Sequence, residues 1–186
     1  TAADSLARRS AQTALWHITR ALLLWLQPML CFTSDEAWAV FTGDADDSAL
    51  FHTWHTLPEV AGQDALLARW DALRTLRANV NKLIEDQRVA NALGSSLQAE
   101  VSIVADAALY PLLTALGDDL KFVLIVSKVT LSAGEQTSIT VTPASAHKCE
   151  RCWHWRDDVG SHTEHPTLCG RCVSNLFGDG EARVHA

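Results

Sequence analysis

Over residues 4–27, apolar side chains return at Leu15, Ile18, Leu22, Trp25 and Leu26, at helical spacing, with Arg8, Arg9 and Arg20 among the polar positions. The pattern predicts a long helix stopped near Pro28, and its broad Leu-Leu-Leu-Trp-Leu run predicts a central place among packed helices. Thr33-Ser34-Asp35-Glu36 has the form of a capping box and predicts a short helix through Trp38 and Phe41. An acidic turn at 43–47 and an extended connection carrying His52, Trp54, His55 and Pro58 follow. Residues 64–88 predict a second long helix, with Leu66, Trp70, Leu73, Val80, Leu83 and Ile84 on one side. After Gly94-Ser95-Ser96 the period changes. Residues 98–104 alternate, 107–116 are helix-like, 121–126 form a β-rich run and 138–142 alternate again, which predicts a small β-α-β-β subdomain. Thr142-Pro143-Ala144-Ser145 then links it to a segment of different character.

That segment holds Cys149-Glu150-Arg151-Cys152, sixteen further residues, and Cys169-Gly170-Arg171-Cys172. Two Cys-x-x-Cys turns at this separation present four thiolates to one tetrahedral ion, so Cys149, Cys152, Cys169 and Cys172 are expected to hold one structural Zn²⁺. Four protein ligands leave no position for a reacting water. The competing readings are two disulfides or a dithiol redox pair, and one of His147, His154, His162 or His165 could replace a thiol. His52 and His55 are a weaker metal pair, because no further ligands lie near them in the sequence.

Composition narrows the function classes. The 186 residues are 48% apolar, enough for a sizeable core plus a small module. The longest apolar run, residues 21–26, has six residues against the roughly 20 needed to span a bilayer. Neither a membrane span nor a signal sequence is expected, and cysteines in metal spacing suit a cytoplasmic protein. A formal charge of −7 excludes nucleic-acid binding by bulk electrostatics, so any RNA contact must come from local patches. The chain begins without Met in a helical pattern, and a piece of a longer protein is expected.

Two patches qualify. Arg74, Arg77, Asn81 and Arg88 form a stripe on the second long helix that either tracks phosphates or is a solvated face laced by ion pairs. In the cysteine segment, residues 147–186 carry five Lys or Arg against six Asp or Glu, so the module is not a basic finger. Arg151 and Arg171 nevertheless occupy equivalent knuckle positions, and Trp153 and Trp155 follow the first knuckle. These offer guanidinium and aromatic faces to unpaired bases, with one tryptophan expected in the module's own core and one outside it.

The segment from Pro28 to Trp38, the helix from Trp70 to Arg88, Gly94-Ser95-Ser96-Leu97-Gln98-Ala99-Glu100-Val101 and the cysteine module together resemble the carboxy-terminal third of the bacterial isoleucyl-tRNA synthetases. The resemblance covers nearly the whole chain. Its first segment is shared with the valyl, leucyl and methionyl enzymes, whereas Gly94-Ser95-Ser96-Leu97 and the terminal Cys-x-x-Cys-Trp…Cys-Gly-Arg-Cys run are similar to the isoleucyl ones. The resemblance implies a mainly α fold: an anticodon-binding helical bundle (1–93), a small α/β subdomain (94–146) and a C-terminal four-cysteine zinc-ribbon or knuckle module (147–186). It also implies a tRNA(Ile) anticodon stem-loop as partner, with Arg74, Arg77, Asn81, Arg88, Arg151, Trp153, Trp155 and Arg171 as candidate contacts. ATP and isoleucine chemistry would lie in the rest of the synthetase chain, and no catalytic residue is expected here, since neither a His-x-Gly-His nor a Lys-Met-Ser-Lys-Ser sequence occurs. The alternatives are the equivalent region of a valyl or leucyl enzyme, or a zinc-bearing protein-interaction module without an RNA role.

Overall fold

The structure is a computed structural model that describes residues 1–183; the last three positions of the expected 147–186 module lie outside them. About half of the described residues are helical, with two small sheets. The chain forms two compact units. One is Thr1–Ala61 together with Ala182 and Arg183, and the other is Gly62–Glu181.

In the first unit, Ser5 caps α1 (Leu6–Leu26) by accepting from the Arg8 amide. Within this unit α1 buries Ala21 and Leu24, while the predicted stripe of Leu15, Ile18, Leu22 and Trp25 stays largely exposed. Leu24 packs with the fully buried Trp38 of α2 (Cys31–Thr42) and with Ala49. The capping box does not form. Leu30 precedes the helix without a side-chain cap, because the Leu26 carbonyl accepts from both Met29 and Leu30 and turns the chain directly into α2. Thr33 thus sits inside the first turn, and Asp35 instead accepts from Ser48 and the Ala49 amide. His52 and His55 do not form a metal pair. His52 contacts the Asp47 carboxylate at 2.7 Å, whereas His55 meets His17 at 2.9 Å, so each ring is held by packing and hydrogen bonding.

The second unit is built on one core. The long helix α3 (Gln63–Val89) buries Leu73, Leu76, Val80 and Ile84, at steps of three and four. These meet Ala99, Val101, Ile103 and Ala105, the alternate residues of the central strand β1 (Ala99–Ala105). β1 pairs in parallel with β2 (Lys128–Ala133) and antiparallel with β3 (Ser138–Pro143), giving the order β2-β1-β3. The parallel crossover runs through α4 (Tyr110–Leu116) and α5 (Leu120–Leu124). The β-rich run 121–126 is therefore not a strand. Leu120 and Leu124 lie one helical turn apart in the core, and Val126 joins them after Ile125 ends the turn in the left-handed region. The strand comes two residues later. At the β2–β3 turn, a Cβ on Gly134 would stand 2.3 Å from the Val104 side chain, so only glycine fits there.

The β1–α4 corner depends on one carboxylate. Asp106 accepts from the amides of Leu109 at 2.9 Å and Ala108 at 3.0 Å, and from the Thr137 hydroxyl at 2.8 Å. The Leu109 amide and then Thr137 hold its carboxyl below the ordinary range. A depressed native value stabilises the fold above the unfolded pKa, and that contribution disappears as pH falls through the native value. Urea midpoints measured from neutral to acid pH should therefore fall less steeply for Asp106→Asn than for the parent chain.

Candidate metal centre and nucleic-acid interface

After β3 the chain makes a two-stranded ribbon, β4 (His147–Lys148) against β5 (Trp155–Arg156), and ends in α6 (Gly170–Phe177). The first knuckle is the turn of this ribbon. The Cys149 amide donates to the His154 carbonyl, and the Trp153 amide donates back to the Cys149 carbonyl, both at 2.9 Å. The second knuckle is the start of α6, where the Cys169 amide donates to the Cys149 sulfur at 3.4 Å. Backbone amides thus already point at sulfur, a usual way of stabilising thiolates.

All four sulfurs lie within 4.8 Å of one another, and Cys152 and Cys169 are 3.7 Å apart. A disulfide needs about 2.05 Å. A tetrahedral zinc with bonds of about 2.3 Å separates its sulfurs by roughly 3.8 Å. The cluster fits one structural zinc and no open catalytic position. None of the four nearby histidines joins the cluster among the described residues. His154 instead donates through Nδ1 to the Cys152 carbonyl and meets the edge of Phe122, while His165 stacks on Phe177 at 4.0 Å. Without metal the thiols are unequal. Burial pushes Cys149 up, but the amides of Cys152, Cys169 and Arg151 outweigh it and bring it down to about 6. Burial pushes Cys152 and Cys169 upward.

The candidate RNA residues divide into engaged and available groups. Arg171 makes a two-pronged pair with Glu181, at 2.6 and 3.0 Å, and lies over Phe122 at 4.7 Å. Its guanidinium is spent on holding the module's C-terminal end. Arg151 donates to the Cys172 sulfur at 3.6 Å, beside the metal ligands. Arg74 pairs with Asp71 at 2.8 Å and Arg88 with Glu85 at 2.7 Å, both on exposed helix surface where such pairs contribute little. Half of the stripe is therefore laced by ion pairs. Among the described residues Arg77 and Asn81 make no such pair, and the Arg77 Nε is buried without a hydrogen-bond partner.

The two tryptophans separate clearly. Trp155 is half-buried, and its amide donates to the Ser127 hydroxyl at 2.6 Å; that hydroxyl donates in turn to the Leu97 carbonyl at 2.5 Å. Ser127 thereby fastens the metal module to the sheet, a role with no signal in the sequence around it. Trp153 is 59% exposed. Its backbone sits in the left-handed region at φ 64°, a costly conformation for a bulky residue, and its indole donates to the Glu150 carbonyl at 3.1 Å. The Lys148 ammonium lies 5.4 Å from its ring. Lys148 and Glu181 were not among the candidates, since their partners are set by the ribbon register and by the end of α6.

Comparison with known proteins agrees with this geometry. The family described as the anticodon-binding domain of tRNA ligase matches residues 1–103, and the zinc finger found in FPG and IleRS matches residues 146–175. Among curated relatives, the isoleucine–tRNA ligase of Laribacter hongkongensis is 63% identical over 186 residues, covering 100% of this chain and 19% of its own length. That of Thiobacillus denitrificans is 56% identical over 185 residues, with 100% and 20% covered. That of Dechloromonas aromatica is 55% identical over 183 residues, with 98% and 20% covered. The chain spans about a fifth of the length of these relatives. Among the described residues no helix is long and apolar enough to cross a membrane. With more than half of its residues matched, and a four-cysteine cluster of zinc dimensions where the second family falls, the chain belongs to the anticodon-binding-domain family of tRNA ligases.

Proposed function

We propose that this chain is the tRNA-recognition region of an isoleucine–tRNA ligase, which binds the anticodon stem-loop of tRNA(Ile) while ATP-dependent attachment of isoleucine takes place elsewhere in the full-length enzyme. In this reading the helices up to residue 93 face the stem and the module from residue 147 faces the loop. The observation that carries it is Trp153. A zinc module without net positive charge that carries a large exposed indole, held by a strained backbone and a hydrogen bond, has little use for that ring within its own fold. Unpaired loop bases stack on such a face, and the adjacent Lys148 offers charge to the backbone between them. The family match and the names of the relatives support the same assignment.

Titration of full-length enzyme with tRNA(Ile) tests it. Trp153→Ala should weaken binding by about 1–3 kcal/mol, the usual worth of one base stack, and leave the salt dependence almost unchanged. Trp155→Ala should chiefly loosen the module, because that residue is half-buried where its backbone amide meets Ser127. Unaltered tRNA binding by Trp153→Ala and by zinc-free enzyme alike would replace this reading with a zinc-bearing protein-interaction module.

A further inference from the structure

The unpaired half of the α3 stripe and the Gly94-Ser95-Ser96 segment meet at a groove of about 430 Å³, whose walls include Arg77, Asn81, Arg88, Ser95, Ser96 and Ile125. That size falls within the range of roughly 300–1,000 Å³ of small-ligand sites. Arg88 is neutralised by Glu85, which also lines the groove, so the uncompensated charge there is that of Arg77. Among the described residues the Arg77 guanidinium has no hydrogen-bond or ion-pair partner; its Nε is closed off from solvent, which leaves the terminal nitrogens to meet an entering acceptor. Beside it, neither the Asn81 carboxamide nor the Ser95 or Ser96 hydroxyl has a partner among the described residues: Gly94 turns back on Gln98 at 2.9 Å instead, and Ser95 does not cap the turn that follows it. Ile125, also in the lining, has a φ of 57°, a rare state for a β-branched residue, and leaves its side chain partly exposed.

These groups call for a ligand with three distinct parts. The guanidinium fork requires an anionic oxygen. The amide and hydroxyls can both donate and accept, and a phosphate, which only accepts, would leave half of that capacity unused. A ribose 2′-hydroxyl both donates and accepts, and its presence is what separates RNA from DNA. Ile125 supplies an apolar wall for sugar carbons. Building on the tRNA-binding reading above, we propose that the groove seats one ribonucleotide of the RNA backbone. Arg77 takes the phosphate, Asn81 with Ser95 and Ser96 takes the 2′-hydroxyl, and Ile125 packs on the sugar.

The test uses full-length enzyme and tRNA(Ile) prepared either as all-ribose RNA or with single 2′-deoxy substitutions scanned through the anticodon stem-loop. Arg77→Ala should weaken binding and lower the log–log salt slope by about 0.7–0.9. Arg77→Lys, which keeps the charge and loses the fork, should retain the slope with intermediate affinity. At one scanned position the deoxy substitution should weaken binding to the parent several-fold, yet have a clearly smaller effect on Asn81→Ala and on Ser95→Ala/Ser96→Ala. Weakened binding without coupling to any single 2′-hydroxyl overturns the ribose assignment. Groove variants that bind every RNA like the parent overturn the site, while Trp153→Ala, still weak, leaves the tRNA reading standing. If Trp153→Ala and zinc removal are also silent, that reading falls and the groove proposal falls with it.

Discussion

Chelation of zinc should unfold residues 147–177 while α3 and the three-stranded sheet stay folded. The module's buried cluster consists of Cys149, Cys169 and Cys172, joined by the partly buried Cys152, Val159 and Leu168. Remove the ion and two aliphatic side chains remain to order some thirty residues, too little to offset their conformational entropy. Structural zinc contributes on the order of 10–16 kcal/mol of apparent binding energy at neutral pH, which makes the metal the dominant stabilising term. The second unit's main core contains no cysteine and does not depend on it. Elemental analysis should give about one zinc per chain. Hydrogen exchange after chelation, or in Cys152→Ser, should show lost protection from β4 to α6 and retained protection in β1. Binding should also release protons at neutral pH, because Cys152 and Cys169 are pushed upward in the metal-free state and must ionise. Affinity therefore falls as pH falls, since protons compete with the ion for sulfur. Metal-free protein with two disulfides, or exchange indifferent to chelation, would refute this assignment.

The four-cysteine cluster was legible because coordination chemistry leaves few ways to use two Cys-x-x-Cys turns, whereas the ribbon and helix that carry them were not read from the sequence. β1, β3 and α4 were legible for a related reason: one-sided burial writes its period into the sequence. The misreadings share a cause in tertiary context. Residues 121–126 are apolar and β-branched enough for a strand, yet a five-residue helix followed by a left-handed Ile125 buries the same side chains. The Thr33-to-Glu36 pattern matched a cap, but the turn after Leu26 had already started α2. Nor could spacing reveal which arginines would be spent internally. Glu181, ten residues beyond Arg171, claims that guanidinium only because Asn175 and the end of α6 bring the chain back.

The partner of α3 was the least legible feature. Its apolar stripe fits a bundle of helices as well as a helix on a sheet, since both ask only for steps of three and four. The expected division after residue 93 placed α3 with the preceding helices. The compact units divide at 61/62, and Leu73, Leu76, Val80 and Ile84 share one core with β1. This geometry gives a second large effect. Leu76 is 3% exposed within that core, so Leu76→Ala should cost about 2–5 kcal/mol through lost burial and the cavity left behind. Because helix and sheet form one cooperative unit, the loss should appear equally in both. In the 186-residue chain, amide exchange at Val101 and Ile103 of β1 should accelerate by the same factor as at Val80 and Ile84 of α3. Leu66 lies on the same helix but is 42% exposed, and Leu66→Ala should change stability by about 0.5 kcal/mol or less. Undiminished β1 protection in Leu76→Ala, with α3 alone loosened, would show that the helix belongs energetically to the residues before it and that the core shared with the sheet contributes little.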